Sequence, residues 1–279
     1  MVWLKQALAS FQPISASFLR ILLAVILIFL YAVITKKLQM PKKKDLPKFI
    51  LGGILMPFLF FIFAFSALDY INALLAGIIY ATLPLFSPIA GYFFFKEKFN
   101  SLFFIGMIIS FIGIIVAITN KGFHLEVSVI GIILAFMAIF CYIFFSVVVK
   151  KLSETYNETT NIFYTNLIGL IFLIPVFFIF DFTHFTHTAP TRTSIISVFD
   201  MAFFSSFIGF VLYAYSIKAL GTGKSLILFN LVPIFSTIGA VLVLGDTLDL
   251  HKSIGLVAVI VGLVISVIKT KKRNYINQN

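Results

Sequence analysis

Charge is what this sequence has least of. Asp, Glu, Lys and Arg make up 11% of its 279 residues, and the acidic ones number 10. An average soluble domain carries about 25%. Too few charges are available to cover 36 Phe on a water-facing surface, which excludes a soluble enzyme, a disordered tail and a nucleic-acid-binding domain. A single cysteine, Cys141, excludes an internal disulfide framework. No phosphate-cradling Gly loop, Ser/His/Asp set or Cys/His cluster is found, and GTGK at 221–224 lacks the spacing of a nucleotide loop. The expectation is a chain that is not an enzyme and takes no cofactor.

Long apolar runs are present instead. Hydrophobic residues reach 61%, and the mean hydropathy is +1.11. Crossing a bilayer as a helix takes about 20 such residues. Runs near 14–34, 49–68, 71–95, 101–119, 129–149, 162–180, 195–217, 224–244 and 253–268 read as nine spans. They are continuous rather than alternating, so the predicted class is all-α, a polytopic membrane helix bundle and not a barrel. Residues 21–34 resemble the core of a secretory signal, but the lysine cluster follows the run instead of preceding it, so this is a permanent span.

The formal charge of +11 is distributed as a bilayer requires. Lys36, Lys37, Lys42, Lys43, Lys44 and Lys48 follow the first span. Alternating from there, the same side receives Lys96, Lys98, Lys150, Lys151, Lys218, Lys224, Lys269, Lys271, Lys272 and Arg273. That side is predicted to be cytoplasmic, with the C-terminus on it. The partners expected are lipid and a small-molecule solute, not nucleic acid.

Self-comparison finds an internal repeat at an offset of 149. Pro84, Phe86, Ser87, Ile89, Ile105, Gly106 and Gly113 match Pro233, Phe235, Ser236, Ile238, Ile254, Gly255 and Gly262, and Glu97 faces Asp246. The hinge KEKFN falls inside and GDTLDLH outside, so the second copy is inverted, as in many transporter folds. The predicted division is 1–122 for the first repeat and 127–279 for the second. Five spans fit the second repeat and four the first. Its opening helix is read as missing or truncated, with MVWLKQALASFQP as the outer end of that helix and the next loop. The alternative, that nine spans are the full number, stays open.

The runs FQPISASFLRILLA, SALDYINALLAGIIYATLPLFSPIAGYFFFKEKF and KALGTGKSLILFNLVPIFSTIGAVLVLGDTL carry a resemblance across essentially the whole chain. It resembles the EamA-like branch of the drug/metabolite transporter superfamily. The resemblance implies ten helices in two inverted repeats, a central cavity, and movement of small metabolites, often amino acids, across a bacterial inner membrane.

Candidate site residues follow from proline and from polar groups inside spans. Pro84 frees the carbonyl of Tyr80, and Pro233 that of Phe229 beside Asn230. Paired interruptions in two halves point to a midplane binding site, predicted to include Tyr80, Pro84, Ser87, Asn230, Pro233 and Ser236; the competing reading is kinks that only help the bundle pack. Tyr142, beside Cys141, is deep enough to line the path, whereas Tyr164, Tyr213 and Tyr215 read as interfacial anchors. Arg20, the sole basic residue within a span, either binds solute carboxylate or snorkels to the outer surface or caps a helix. Asp200 lies in the first turns of its span.

No carboxylate falls at mid-span, which leaves proton coupling unsupported and a facilitator or exchanger equally compatible. His184 and His187 are too few for a zinc site, so no metal is expected. The small residues Gly106, Ser110 and Gly113, and Gly255, Ala258, Gly262 and Ser266, suit either packing within the monomer or a homodimer through 101–119 and 253–268. The function predicted is a secondary transporter working by alternating access; the alternative is a non-transporting membrane subunit or degraded transporter lacking its first helix.

Overall fold

The structure is a computed structural model that describes residues 2–80, 82–83, 86, 93–94, 101–118, 128–209, 212, 239, 241–243, 245 and 250–267. Every regular element among them is helical. In chain order these are α1 (Val2–Ala7), α2 (Pro13–Ile34), a 3₁₀ turn (Lys43–Asp45), α3 (Leu46–Gly53), a π turn (Ile54–Leu59), α4 (Phe60–Ala67), α5 (Ala73–Tyr80), α6 (Ser101–Ile118), α7 (Val129–Leu152), α8 (Glu158–Phe180), α9 (Phe182–His187), α10 (Arg192–Asp200), a second π turn (Met201–Ile208) and α11 (Leu250–Val267). Four stretches are long and apolar enough to cross a membrane: Pro13–Ile34, Lys43–Ala67, Val129–Leu152 and Glu158–Phe180. They coincide with four of the predicted spans to within a few residues. The run at 224–244 lies almost wholly outside the described residues.

Helices in lipid gain nothing by hiding apolar surface from water, so they associate where small residues allow close approach. The buried face of α2 shows this in Ala16, Ala24 and Ala32, all fully buried, while Phe29, Leu30 and Val33 point outward. The helix runs antiparallel to α8: Phe18 stacks on Phe177 at 4.4 Å and Phe29 meets Phe163 at 5.6 Å. The segment of Gly52, Gly53 and Pro57 crosses α8 so tightly that a Cβ on Gly169 would lie 2.6 Å from the Pro57 ring. Before Pro57, Met56 leaves helical geometry (φ −149°, ψ 124°), the extended conformation that a following proline favours.

The tightest crossing joins α6 to α11. A Cβ on Gly113 would lie 2.7 Å from the Gly255 carbonyl, and one on Gly262 would lie 2.5 Å from the Gly106 carbonyl and closer still to Ser110 Oγ. Ser110 donates to the Val259 carbonyl at 3.1 Å. Moving up α6 therefore means moving down α11, so the pair is antiparallel. Gly106, Ser110 and Gly113 meet Gly255, Ala258 and Gly262 inside the chain. Ile108, Ile112, Val257 and Val261 remain on the outer, exposed sides, and a homodimer through these spans would have to use those sides.

The two ends of the bundle differ. On the lysine-rich end, the segment after α2 is stitched to the α7–α8 turn. Gln39 N–H donates to Thr160 Oγ1 at 3.0 Å, and Asn157 Nδ2 to the Lys37 carbonyl at 2.7 Å. Lys42 N–H donates to Tyr156 Oη at 2.8 Å, and Tyr156 Oη in turn to Asp45 at 3.0 Å. At the opposite end a cleft of about 400 Å³ opens among Gln12, Ile14, Ser66, Asp69, Asp181 and His184.

Candidate functional site

Helix α2 needs a partner for its first N–H groups, as every helix start does. Its N-cap, Gln12, makes no side-chain bond. The buried carboxylate of Asp181, at the end of α8, serves instead and accepts from both the amide (2.8 Å) and the hydroxyl of Ser15. This tie forms one wall of the cleft. Across it, burial pushes the Asp69 carboxyl above its ordinary pKa, and nearby Lys5 pulls it back down. Lys5 itself donates to the Leu68 carbonyl at 2.8 Å.

Arg20 lies on α2 six residues beyond Ile14, which is about 9 Å deeper at 1.5 Å per residue. Its side chain is buried, 8% exposed, so it neither snorkels nor caps a helix. Nε donates to Ser206 Oγ at 3.0 Å and Nη2 to Ser205 Oγ at 3.1 Å, while Nη1 meets Met201 Sδ at 3.9 Å. These three partners sit on the π turn of Met201–Ile208. The wider turn brings residues five apart in line, which is why Met201, Ser205 and Ser206 face the same guanidinium. The Phe61 ring covers one face of it at 4.1 Å, a cation–π contact favoured in a desolvated setting.

Phe61 is one half of an aromatic bridge. It meets Phe60 edge-on at 5.2 Å, and Phe60 lies 5.8 Å from Tyr142 and 6.5 Å from Tyr80. Both phenylalanines open α4 directly after the break at Pro57. Tyr80 Oη is buried without a hydrogen-bond partner among the described residues, an arrangement that is rare and needs an explanation. The structure thus brings three predicted site residues, Arg20, Tyr80 and Tyr142, to opposite ends of the Phe60–Phe61 pair. Pro84, Ser87, Asn230, Pro233 and Ser236 lie outside the described residues. Tyr164, read as an anchor, reaches Met40 Sδ at 3.7 Å on the lysine-rich end. Among the described residues no group of three His, Cys, Asp or Glu is placed to hold a metal.

A buried cation, two serine hydroxyls and a run of aromatic rings thus lie together inside the bundle. Residues 1–119 and 129–268 match the EamA-like transporter family. The chain belongs to that family. Relatives named as transporters match most of its length. An uncharacterized transporter of Clostridium kluyveri is 26% identical over 246 residues, 86% of this chain and 77% of that one. The uncharacterized transporter YyaM of Bacillus subtilis is 26% identical over 277 residues, 97% and 90% of the two. An Archaeoglobus fulgidus protein, also an uncharacterized transporter, is 24% identical over 95% of this chain and 92% of its own length. A crystal structure superposes with a TM-score of 0.68 over 95% of this chain and 94% of the other at 15% identity, which shows a shared fold. This EamA-like protein is an integral membrane protein of a transporter family.

Proposed function

We propose that this protein is a secondary transporter that moves a small metabolite, an amino acid or a related solute, across a bacterial inner membrane. It works by alternating access, with the repeats 1–122 and 127–279 rocking around a site near mid-membrane and the C-terminus in the cytoplasm. The observation that carries this reading is the line Arg20–Phe61–Phe60–Tyr80/Tyr142, which joins a buried cation to two tyrosines beneath a cleft. The inverted repeat is supported by the α6–α11 crossing. Gly113 touches Gly255 and Gly262 touches Gly106, pairs that exchange under the offset of 149. Ser110 bonds Val259, the position 149 residues on. Such reciprocity is what a two-fold axis across an antiparallel helix pair produces. Among the described residues, the ties between the segment after α2 and the α7–α8 turn on the lysine-rich side, and the cleft on the other, support a conformer open to one face, here the outer one.

The test is solute flux in proteoliposomes with Tyr80→Phe and Asn230→Ala. Tyr80→Phe removes one hydroxyl that has no structural partner among the described residues. The expected result is flux lowered about fivefold, the worth of one hydrogen bond, at an unchanged thermal midpoint. Wild-type flux in both variants would remove the proposed site.

A further inference from the structure

Arg20 is the one buried basic side chain among the described residues, and the one ion pair among them is elsewhere, Lys48 with Asp45. Among the described residues, its neighbours use one edge and one face of the guanidinium. Nε and Nη2 share an edge, and Ser206 and Ser205 hold it. Phe61 covers a face. The other edge, formed by Nη1 and the second Nη2 hydrogen, meets a thioether at 3.9 Å, a weak acceptor. Two hydroxyls and a ring reduce the cost of desolvating the charge without neutralising it. A cation buried within a membrane bundle marks a functional site, and the edge left to the thioether has the two-pronged geometry that matches a carboxylate, a far stronger acceptor.

The mouth of the cleft narrows the choice of anion. Asp69 and Asp181 line it with Ile14 and Ser66, and Arg20 and Phe61 lie about one and a half turns deeper along α2 and α4. Lys5 beside Asp69 offsets one of the two carboxylates, and the remaining negative charge repels a doubly charged phosphate ester more than a solute with one carboxylate and attracts an amine.

We infer that Arg20 is the seat for the carboxylate of a singly carboxylated solute, which enters by the cleft of Ile14, Ser66 and Asp181 and docks on the Nη1–Nη2 edge. Ser205 and Ser206 are positioning residues that hold the guanidinium with this edge presented, and Met201 closes it when the seat is empty. This inference rests on the transporter reading of the same site and names the chemistry of its solute.

The test uses the full chain, purified, with matched probes: leucine and phenylalanine, their amides, the amines lacking the carboxyl group, and a sugar phosphate. Binding is read as the shift in thermal midpoint with ligand concentration, and transport as flux in proteoliposomes. The acids are expected to bind at least about tenfold more tightly than the amides, amines and phosphate ester, because a site built for a polar group rejects analogues that lack it. Arg20→Gln is expected to abolish that preference and Arg20→Lys, a point charge without the fork, to retain part of it. Equal binding of acid and amide by the wild type, tighter binding of the phosphate ester, binding of none of the probes, or a preference surviving in Arg20→Gln would each overturn the inference. The wild-type acid–amide comparison decides even where a variant does not fold. Flux without preference for the carboxylate removes the Arg20 seat and leaves the transporter standing. Acid binding that Arg20→Gln abolishes, in a wild type that moves no solute, does the reverse.

Discussion

Two of the contacts between the first part of the chain and the second contrast sharply. At the α6–α11 crossing, backbone lies against backbone: Gly113 on Gly255, Gly262 on Gly106, with no charged group in the contact. At the α2 crossing, the contact is a cation held by two serines and a thioether on a widened turn. The first is held by shape and has no room to change. The second is held by groups that can exchange one partner for another. A membrane bundle that must move needs both, a joint that keeps its parts registered and a contact that a solute can replace.

Volume is the variable that breaks the first. In Gly262→Leu the new side chain begins 2.5 Å from the Gly106 carbonyl and nearer still to Ser110 Oγ, with helix backbone on both sides. Overpacking of this kind costs about 1–3 kcal/mol or more, and the expected outcome is little or no monodisperse protein on size exclusion. A normal yield with an unchanged midpoint would mean that the crossing is not a fixed joint. The second contact is sharpened by Ser205→Ala with Ser206→Ala. Each hydrogen bond to a charged group contributes about 1.5–3 kcal/mol, so the apparent thermal midpoint should fall by several degrees while folded protein is still recovered. Carboxylate binding should weaken with it. The smallest effect is expected from Ser110→Ala. It deletes a side-chain bond across the α6–α11 joint, yet the Val259 carbonyl still has its own helix to bond, so the loss is below about 1 kcal/mol. A large effect there would shift the weight of the joint from shape to hydrogen bonding.

Much of this was legible in the order of residues. Continuous apolar runs mark the long helices, because only a helix satisfies its own backbone in lipid. Tyr80 and Tyr142 stand out as polar groups deep in such runs, and Arg20 as the sole basic residue within one, near its start. The rest was hidden for physical reasons. Phe60 and Phe61 are two of 36 phenylalanines, and nothing in composition separates a bridging ring from one facing lipid. Ser205 and Ser206 converge on Arg20 through a π turn, which no residue pattern announces. Pro57 was readable by the rule applied to Pro84 and Pro233, since it too interrupts a span, and it sits directly before the bridge. Asp181 was also in plain sight at the end of a span, but its role as a cap for a helix 166 residues away is set by tertiary packing.

The buried guanidinium has an electrical consequence. Work against the membrane voltage is about 2.3 kcal/mol per elementary charge per 100 mV for a full crossing, so any motion of an empty Arg20 seat along the membrane normal is driven or resisted by the field. A bound monocarboxylate that carries no amine cancels that charge, whereas a zwitterionic amino acid adds no net charge and leaves it in place. On the reading proposed here a zwitterionic solute leaves the loaded and the empty transitions equally sensitive to voltage, an amine-free carboxylate makes only the empty one so, and in both cases the membrane potential biases which way the unloaded carrier faces.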